Sequence, residues 1–135
     1  MNKVALVLTL MMILGACVAL IARSVTFDTV VVGNSPILGG IILQANGSTT
    51  ETIKLKDVNN RRLNTKVTLE VGRGTVCLEL LDDKGQPTSS VVSTPKKPAL
   101  GKGYLVADAS STVKFRITAI EAENIAYGLT IDDSR

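Results

Sequence analysis

The chain has 135 residues, with 15 Lys or Arg, 12 Asp or Glu, no His and a formal net charge of +3, a length that suits one domain plus an N-terminal segment. The lack of histidine removes Ser-His-Asp and Cys-His catalysis and any Cys/His metal cluster. Lys3 and Arg23 flank an apolar run, leaving 13 basic residues against 12 acidic ones in the remainder. These charges are interspersed and the aromatic residues number only two Tyr and two Phe, a pattern unlike a nucleic-acid-binding face.

Residues 4–22 (VALVLTLMMILGACVALIA) carry no charge and one hydroxyl, Thr9. As a helix, this stretch would extend roughly 28 Å, close to the ~30 Å hydrocarbon core of a bilayer. It admits three readings. A retained single-pass anchor is favoured, with the bilayer as partner of residues 4–22 and with Gly15, Ala16, Ala19 and Ala22 permitting close helix approach. A lipoprotein signal is the second, because Leu14-Gly15-Ala16-Cys17 resembles a bacterial lipobox in which Cys17 would be acylated; the apolar Val18–Ala22 is an unusual start for a mature lipoprotein. A cleaved signal peptide is the third, with small residues at its end but a longer apolar run than such peptides need. All three export the rest of the chain. The expected organisation is therefore residues 1–24 as membrane anchor or signal segment and residues 25–135 as an extracytoplasmic domain, periplasmic or extracellular, of a single-pass cell-membrane protein.

From Val25 onward the apolar residues recur with a period of two, the signature of strands. Thr26–Val32 ends at the turn formers Gly33-Asn34-Ser35-Pro36. Ile37–Gln44 is a second strand, with Gly39-Gly40 as an expected bulge. Ala45-Asn46-Gly47-Ser48 reads as a turn into a strand over Thr49–Leu55, and Asn46-Gly47-Ser48 is a glycosylation sequon with Asn46 as acceptor. After a polar loop over Asp57–Asn64 come Thr65–Val71, a tight turn at Gly72-Arg73-Gly74, and Thr75–Leu81 with Val76, Leu78 and Leu80 opposite Cys77 and Glu79. The proline-containing Gln86–Leu100 suits a long connection with a short edge strand at Val91-Val92. Tyr104–Ala107, Thr112–Ile120 and Ile125–Ile131 complete the set, with Val113, Phe115, Ile117 and Ala119 on one face and a helical turn near Glu121–Asn124. The fold class is all-β: an antiparallel β-sandwich or jelly-roll of about seven or eight strands, preceded by one apolar transmembrane helix.

No catalytic constellation emerges. Cys77 reads as a small core residue, since nothing activates it as a nucleophile. Asp82-Asp83 and Asp132-Asp133 offer oxygen atoms that could in principle ligate Ca²⁺, but Asp-rich turns more often satisfy local N–H groups. Gly101-Lys102-Gly103 lacks the spacing of a phosphate loop. No cofactor or metal site is expected. The run Gly74-Thr75-Val76-Cys77-Leu78-Glu79-Leu80-Leu81-Asp82-Asp83-Lys84-Gly85 is similar to the middle hairpin of bacterial pre-peptidase C-terminal and related jelly-roll modules. Gly103-Tyr104-Leu105-Val106 and Tyr127-Gly128-Leu129-Thr130-Ile131 resemble two later strands of such modules. That resemblance implies an extracytoplasmic accessory or adhesion role. The expectation is a non-enzymatic accessory or structural subunit of a membrane or envelope complex, partnered by other protein subunits and not by nucleic acid. The alternative is an exported lipoprotein or envelope binding module, with Ca²⁺ as an optional ligand.

Overall fold

The computed structural model describes the backbone of residues 21–22, 25–32 and 35–132, and the side chains of residues 37–132. It contains seven strands: β1 (Ile21–Ala22), β2 (Val25–Val32), β3 (Ser35–Lys54), β4 (Arg62–Leu81), β5 (Pro87–Ser93), β6 (Ala99–Val106) and β7 (Thr112–Asp132). All pairings are antiparallel, in the order β1-β3-β7-β4-β5, with β2 also on β3 and β6 also on β4. Most of the expected membrane helix, including Cys17, lies outside the described residues; Ile21 and Ala22, its last two positions, pair with Asn46 and Ala45 of β3. Among the described residues no helix is long and apolar enough to cross a membrane.

Three strands of 20 or 21 residues carry the fold, and each runs through a position that the sequence suggested as a break. Ala45–Ser48 is not a turn: β3 continues through it with a register shift between Ala45 and Gly47. Gly72-Arg73-Gly74 is likewise a register shift inside β4, and Glu121–Asn124 is strand instead of a helical turn. The three irregularities lie side by side. Between the pairs Ala45↔Ala122 and Gly47↔Ala119, β7 has two residues where β3 has one, and between Arg73↔Glu123 and Thr75↔Ile120 it has two where β4 has one. Gly47, Gly74, Glu121 and Asn124 all have left-handed φ values there. Such signals mark hairpin turns when the chain reverses, and bulges when it is only kinked.

Burial follows the kink. In β4 the alternating buried positions are Leu63, Thr65, Val67, Leu69 and Val71 before Gly74, and Val76, Leu78 and Leu80 after it, with Leu81 also buried at the strand end. With one residue against two, β4 switches its buried parity while β7 keeps its own, so both halves keep their apolar set on the same side. The sheet then folds over that side. Phe115 and Tyr127 are 12 positions apart on β7, roughly 40 Å along an extended strand, yet their ring centroids are 5.8 Å apart. One half is β2–β3–β7–β4–β6 and the other β3–β7–β4–β5, facing each other across a single buried cluster. Val113, Phe115, Ile117 and Ala119 are buried in it as expected. Burying each of its large side chains contributes about 1.5–3 kcal/mol.

The halves meet most closely where β5 crosses β6. A Cβ on Gly101 would collide with Val91, and one on Gly103 with Ser89 and Leu80. Thr88 Oγ1 donates to the Tyr104 carbonyl at 2.5 Å and Ser89 Oγ to the Lys102 carbonyl at 3.4 Å. The edge strand expected at Val91-Val92 is thus longer, spanning β5, and β6 begins five residues before the expected Tyr104. Gly39 and Gly40, expected to form a bulge, pair regularly with Gly128 and Tyr127.

Candidate functional site

Each half of the sandwich turns one face outward, and on the first half that face carries a groove. Along β4, Arg62, Asn64, Lys66 and Thr68 are exposed and alternate with the buried positions. The register sets their neighbours: Asn64 lies between Tyr104 and Asp132, Lys66 between Lys102 and Thr130, and Thr68 between Leu100 and Gly128. Two adjoining hollows of about 510 Å³ each run along β4, one toward Thr68 and Leu100 and one toward Asn64 and Asp132; Lys66, Lys102 and Thr130 border both. From Asn64 to Thr68 the groove spans roughly 13 Å. Beside Thr68, Gly128 leaves room for that hydroxyl, since a Cβ there would lie 2.9 Å from Thr68 Oγ1. At one end the Arg62 guanidinium sits 3.7 Å above the Tyr104 ring centroid, a contact that fixes the orientation of both side chains. Beyond β7, Ile37, Ile41 and Leu43 of β3 are exposed by 39%, 53% and 51%.

The outer face of the second half is closed by its own pairings. Arg116 Nη1 donates to Glu79 Oε1 at 3.2 Å, and Ser48 and Thr118 share a hydroxyl hydrogen bond of 3.0 Å. Cys77 is half-buried on this face beside Thr118 and Val92, not in the core as expected. Burial first, and the nearby Glu79 carboxylate second, push its thiol above the ordinary value. The thiol therefore stays protonated near neutral pH, which is the opposite of an activated nucleophile.

The residues singled out from sequence are not brought together. Asn46 is exposed on β3 at the kink, and its Oδ1 accepts the Glu121 N–H at 3.1 Å; the sequon lies in a strand, and Ser48 of the same sequon is on the second face. Asp82 caps its turn, accepting the N–H groups of Lys84 at 2.9 Å and Gln86 at 2.8 Å, and these bonds hold its carboxyl below the ordinary value. Asp132 borders one end of the groove, and Asp133 is outside the described residues. Among the described residues no group of three or more His, Cys, Asp or Glu could hold a metal ion. Lys66 and Lys102 carried no signal in the sequence, because only the β4–β6 register places them opposite each other.

No protein family's sequence profile matches the chain, and no curated protein does. Several solved structures resemble it in chain path. One is the CBM22-1 xylan-binding domain from Paenibacillus barcinonensis Xyn10C, 19% identical over 83% of both chains with a TM-score of 0.40. Another is the carbohydrate-binding module CBM6cm-2 from Cellvibrio mixtus lichenase 5A in complex with cellotriose, 11% identical over 87% of this chain and 98% of that one, TM-score 0.37. A third, CsCBM6-3 from Clostridium stercorarium in complex with cellobiose, is 10% identical over 87% of this chain and 95% of that one, TM-score 0.29. No pre-peptidase C-terminal module is among them. The run Gly74–Gly85 does form a hairpin, β4 entering the Asp82 turn and returning as β5. At such TM-scores, the ligands of those proteins say nothing about this chain.

Proposed function

We propose that this chain is a non-catalytic binding module, exported and held at the cell membrane by its N-terminal segment, whose groove along β4 receives an extended polymer of the cell envelope. The observation that supports this most is the shape and position of the groove: two continuous hollows on a face of regular strands, bordered by Leu100, Lys102 and Thr130. A small-molecule site is typically an enclosed, mainly apolar cavity; a shallow track over several strand residues suits a chain that enters and leaves. A sequence without histidine fits binding without turnover. The test is a titration of the full-length chain in detergent micelles with soluble linear polysaccharides, monitored by amide chemical shifts. Changes should gather at Asn64–Thr68, Leu100–Lys102 and Thr130 and spare Thr112–Thr118, and Gly128→Val, which pushes against Thr68, should weaken them. Shifts on the second face, or none with any polymer, would remove this reading.

A second reading has support from one surface feature. The strip of Ile37, Ile41 and Leu43 on β3 is exposed and apolar, as expected of an accessory subunit that braces the outer face of a membrane complex. Purification in mild detergent should then bring down stoichiometric subunits that Ile41→Lys releases, whereas recovery as a lone monomer would exclude it.

A further inference from the structure

We infer that the groove along β4 takes an acidic polysaccharide, with carboxylates of the sugar chain seated between Lys66 and Lys102. This rests on the binding reading above and names the ligand class. The ground for it is a departure from the rule the rest of the sheet obeys. Where charged residues pair directly across strands elsewhere, the signs are opposite: Arg73 faces Glu123 and Glu79 faces Arg116, at 3.3 Å and 3.2 Å. Lys66 faces Lys102. Like charges directly opposite destabilise a sheet, and among the described residues neither lysine forms an ion pair. A bound carboxylate accepting from both ammonium groups would offset that repulsion.

The surroundings narrow the ligand further. Arg62, fixed over Tyr104, supplies a third cation about 13 Å along β4 from Lys66, so charge is spaced along the track and not packed densely. Asn64 lies between Arg62 and Lys66, Thr130 stands beside Lys66 and Thr68 follows it, giving amide and hydroxyl groups suited to sugar hydroxyls, and Leu100 offers an apolar edge. Asp132 closes one hollow, where its carboxylate can accept sugar hydroxyl hydrogens. A nucleic acid would want a free aromatic platform, and the Tyr104 ring is covered by Arg62.

The decisive measurement is calorimetric titration of the full-length chain in detergent with polygalacturonate, its fully methyl-esterified neutral form, poly-L-glutamate and duplex DNA. Polygalacturonate should bind, weaken as NaCl rises, and lose about tenfold in affinity with either Lys66→Gln or Lys102→Gln. The neutral ester should bind more weakly than the acid. Both variants should melt at or above the parent temperature, since the repulsion is relieved; a merely structural lysine would lower the melting temperature on removal. Equal binding of acid and ester within the groove would overturn the inference and leave the binding reading standing, whereas no groove binding by either would overturn both. Poly-L-glutamate or DNA binding as tightly as polygalacturonate would overturn the assignment to a polysaccharide.

Discussion

The two outer faces of the sandwich are made from the same long strands, β3, β7 and β4, and yet they are finished differently. On the β5 side the polar cross-strand neighbours complement one another, Arg116 with Glu79 and Ser48 with Thr118, although Val92 is exposed there. On the β6 side a lysine stands opposite a lysine, Leu100 is 82% exposed, and β3 presents Ile37, Ile41 and Leu43. Composition differs little between the faces; register makes the difference. A sheet face whose charges are paired gains stability from each pair, while one that sets like charges opposite each other leaves that interaction open to an anion. The contrast is what supports placing the proposed binding surface on strands and not on loops, where sites more often reside.

The largest way to break the contrast is to remove the kink that makes two faces from one sheet. Gly74 has φ +79° and a Cβ there would run into the Glu121 and Ile120 carbonyls. Gly74→Val should therefore cost about 3 kcal/mol or more, from the left-handed backbone and the collision together. Urea unfolding of the full-length chain, monitored by circular dichroism, measures it. A loss under about 1 kcal/mol would mean that the kink does not depend on glycine at this position.

That kink is also where the sequence was hardest to read. Period-two alternation identified nearly every paired segment, and the set Val113–Ala119 was legible because burial and strand geometry share one period. The signals at Asn46-Gly47, Gly72–Gly74 and Glu121–Asn124 were legible as irregularities but ambiguous in kind. A glycine with positive φ serves a two-residue hairpin and a bulge equally well, and only pairing to a third strand tells them apart. The parity switch between Val71 and Val76 does not settle the matter either, since β7 is kinked at the same place and keeps its buried parity from Ala119 to Ile125. The groove was not legible at all. Lys66 and Lys102 are 36 positions apart, and they are joined by a β4–β6 pairing formed around an intervening hairpin.

A gentler perturbation treats the two faces alike and reads the difference. Arg116→Met removes the partner of Glu79, whose side chain is only 21% exposed, and leaves that carboxylate with less compensation. The cost should be about 1 kcal/mol, above a fully exposed pair and well below a buried one. The equivalent removal of a cation on the other face, at Lys66, should cost nothing measurable. Comparing urea midpoints of the two variants at fixed salt decides this, and equal losses on both faces would erase the distinction between a closed and an open surface.

The smallest effect is at Cys77, which reports on how the closed face is held. Its thiol is raised first by burial and second by Glu79, and thiolate is the form that reacts. Alkylation by iodoacetamide, tracked on the Cys77 peptide by mass spectrometry, should be slow near pH 7 and accelerate only above the ordinary thiol range. Because the folded thiol holds its proton to higher pH than the unfolded one, its contribution to stability is present below the unfolded value and is lost as pH rises through the folded one. The two halves of the nearby ion pair should then move the rate in opposite directions. Glu79→Gln removes the repelling carboxylate and releases Arg116, and should speed alkylation at pH 8 by about twofold; Arg116→Met leaves Glu79 less compensated and should slow it. Rates that rise in both variants would mean that breaking the pair simply opens the face to reagent, and burial alone would then account for the sluggish thiol.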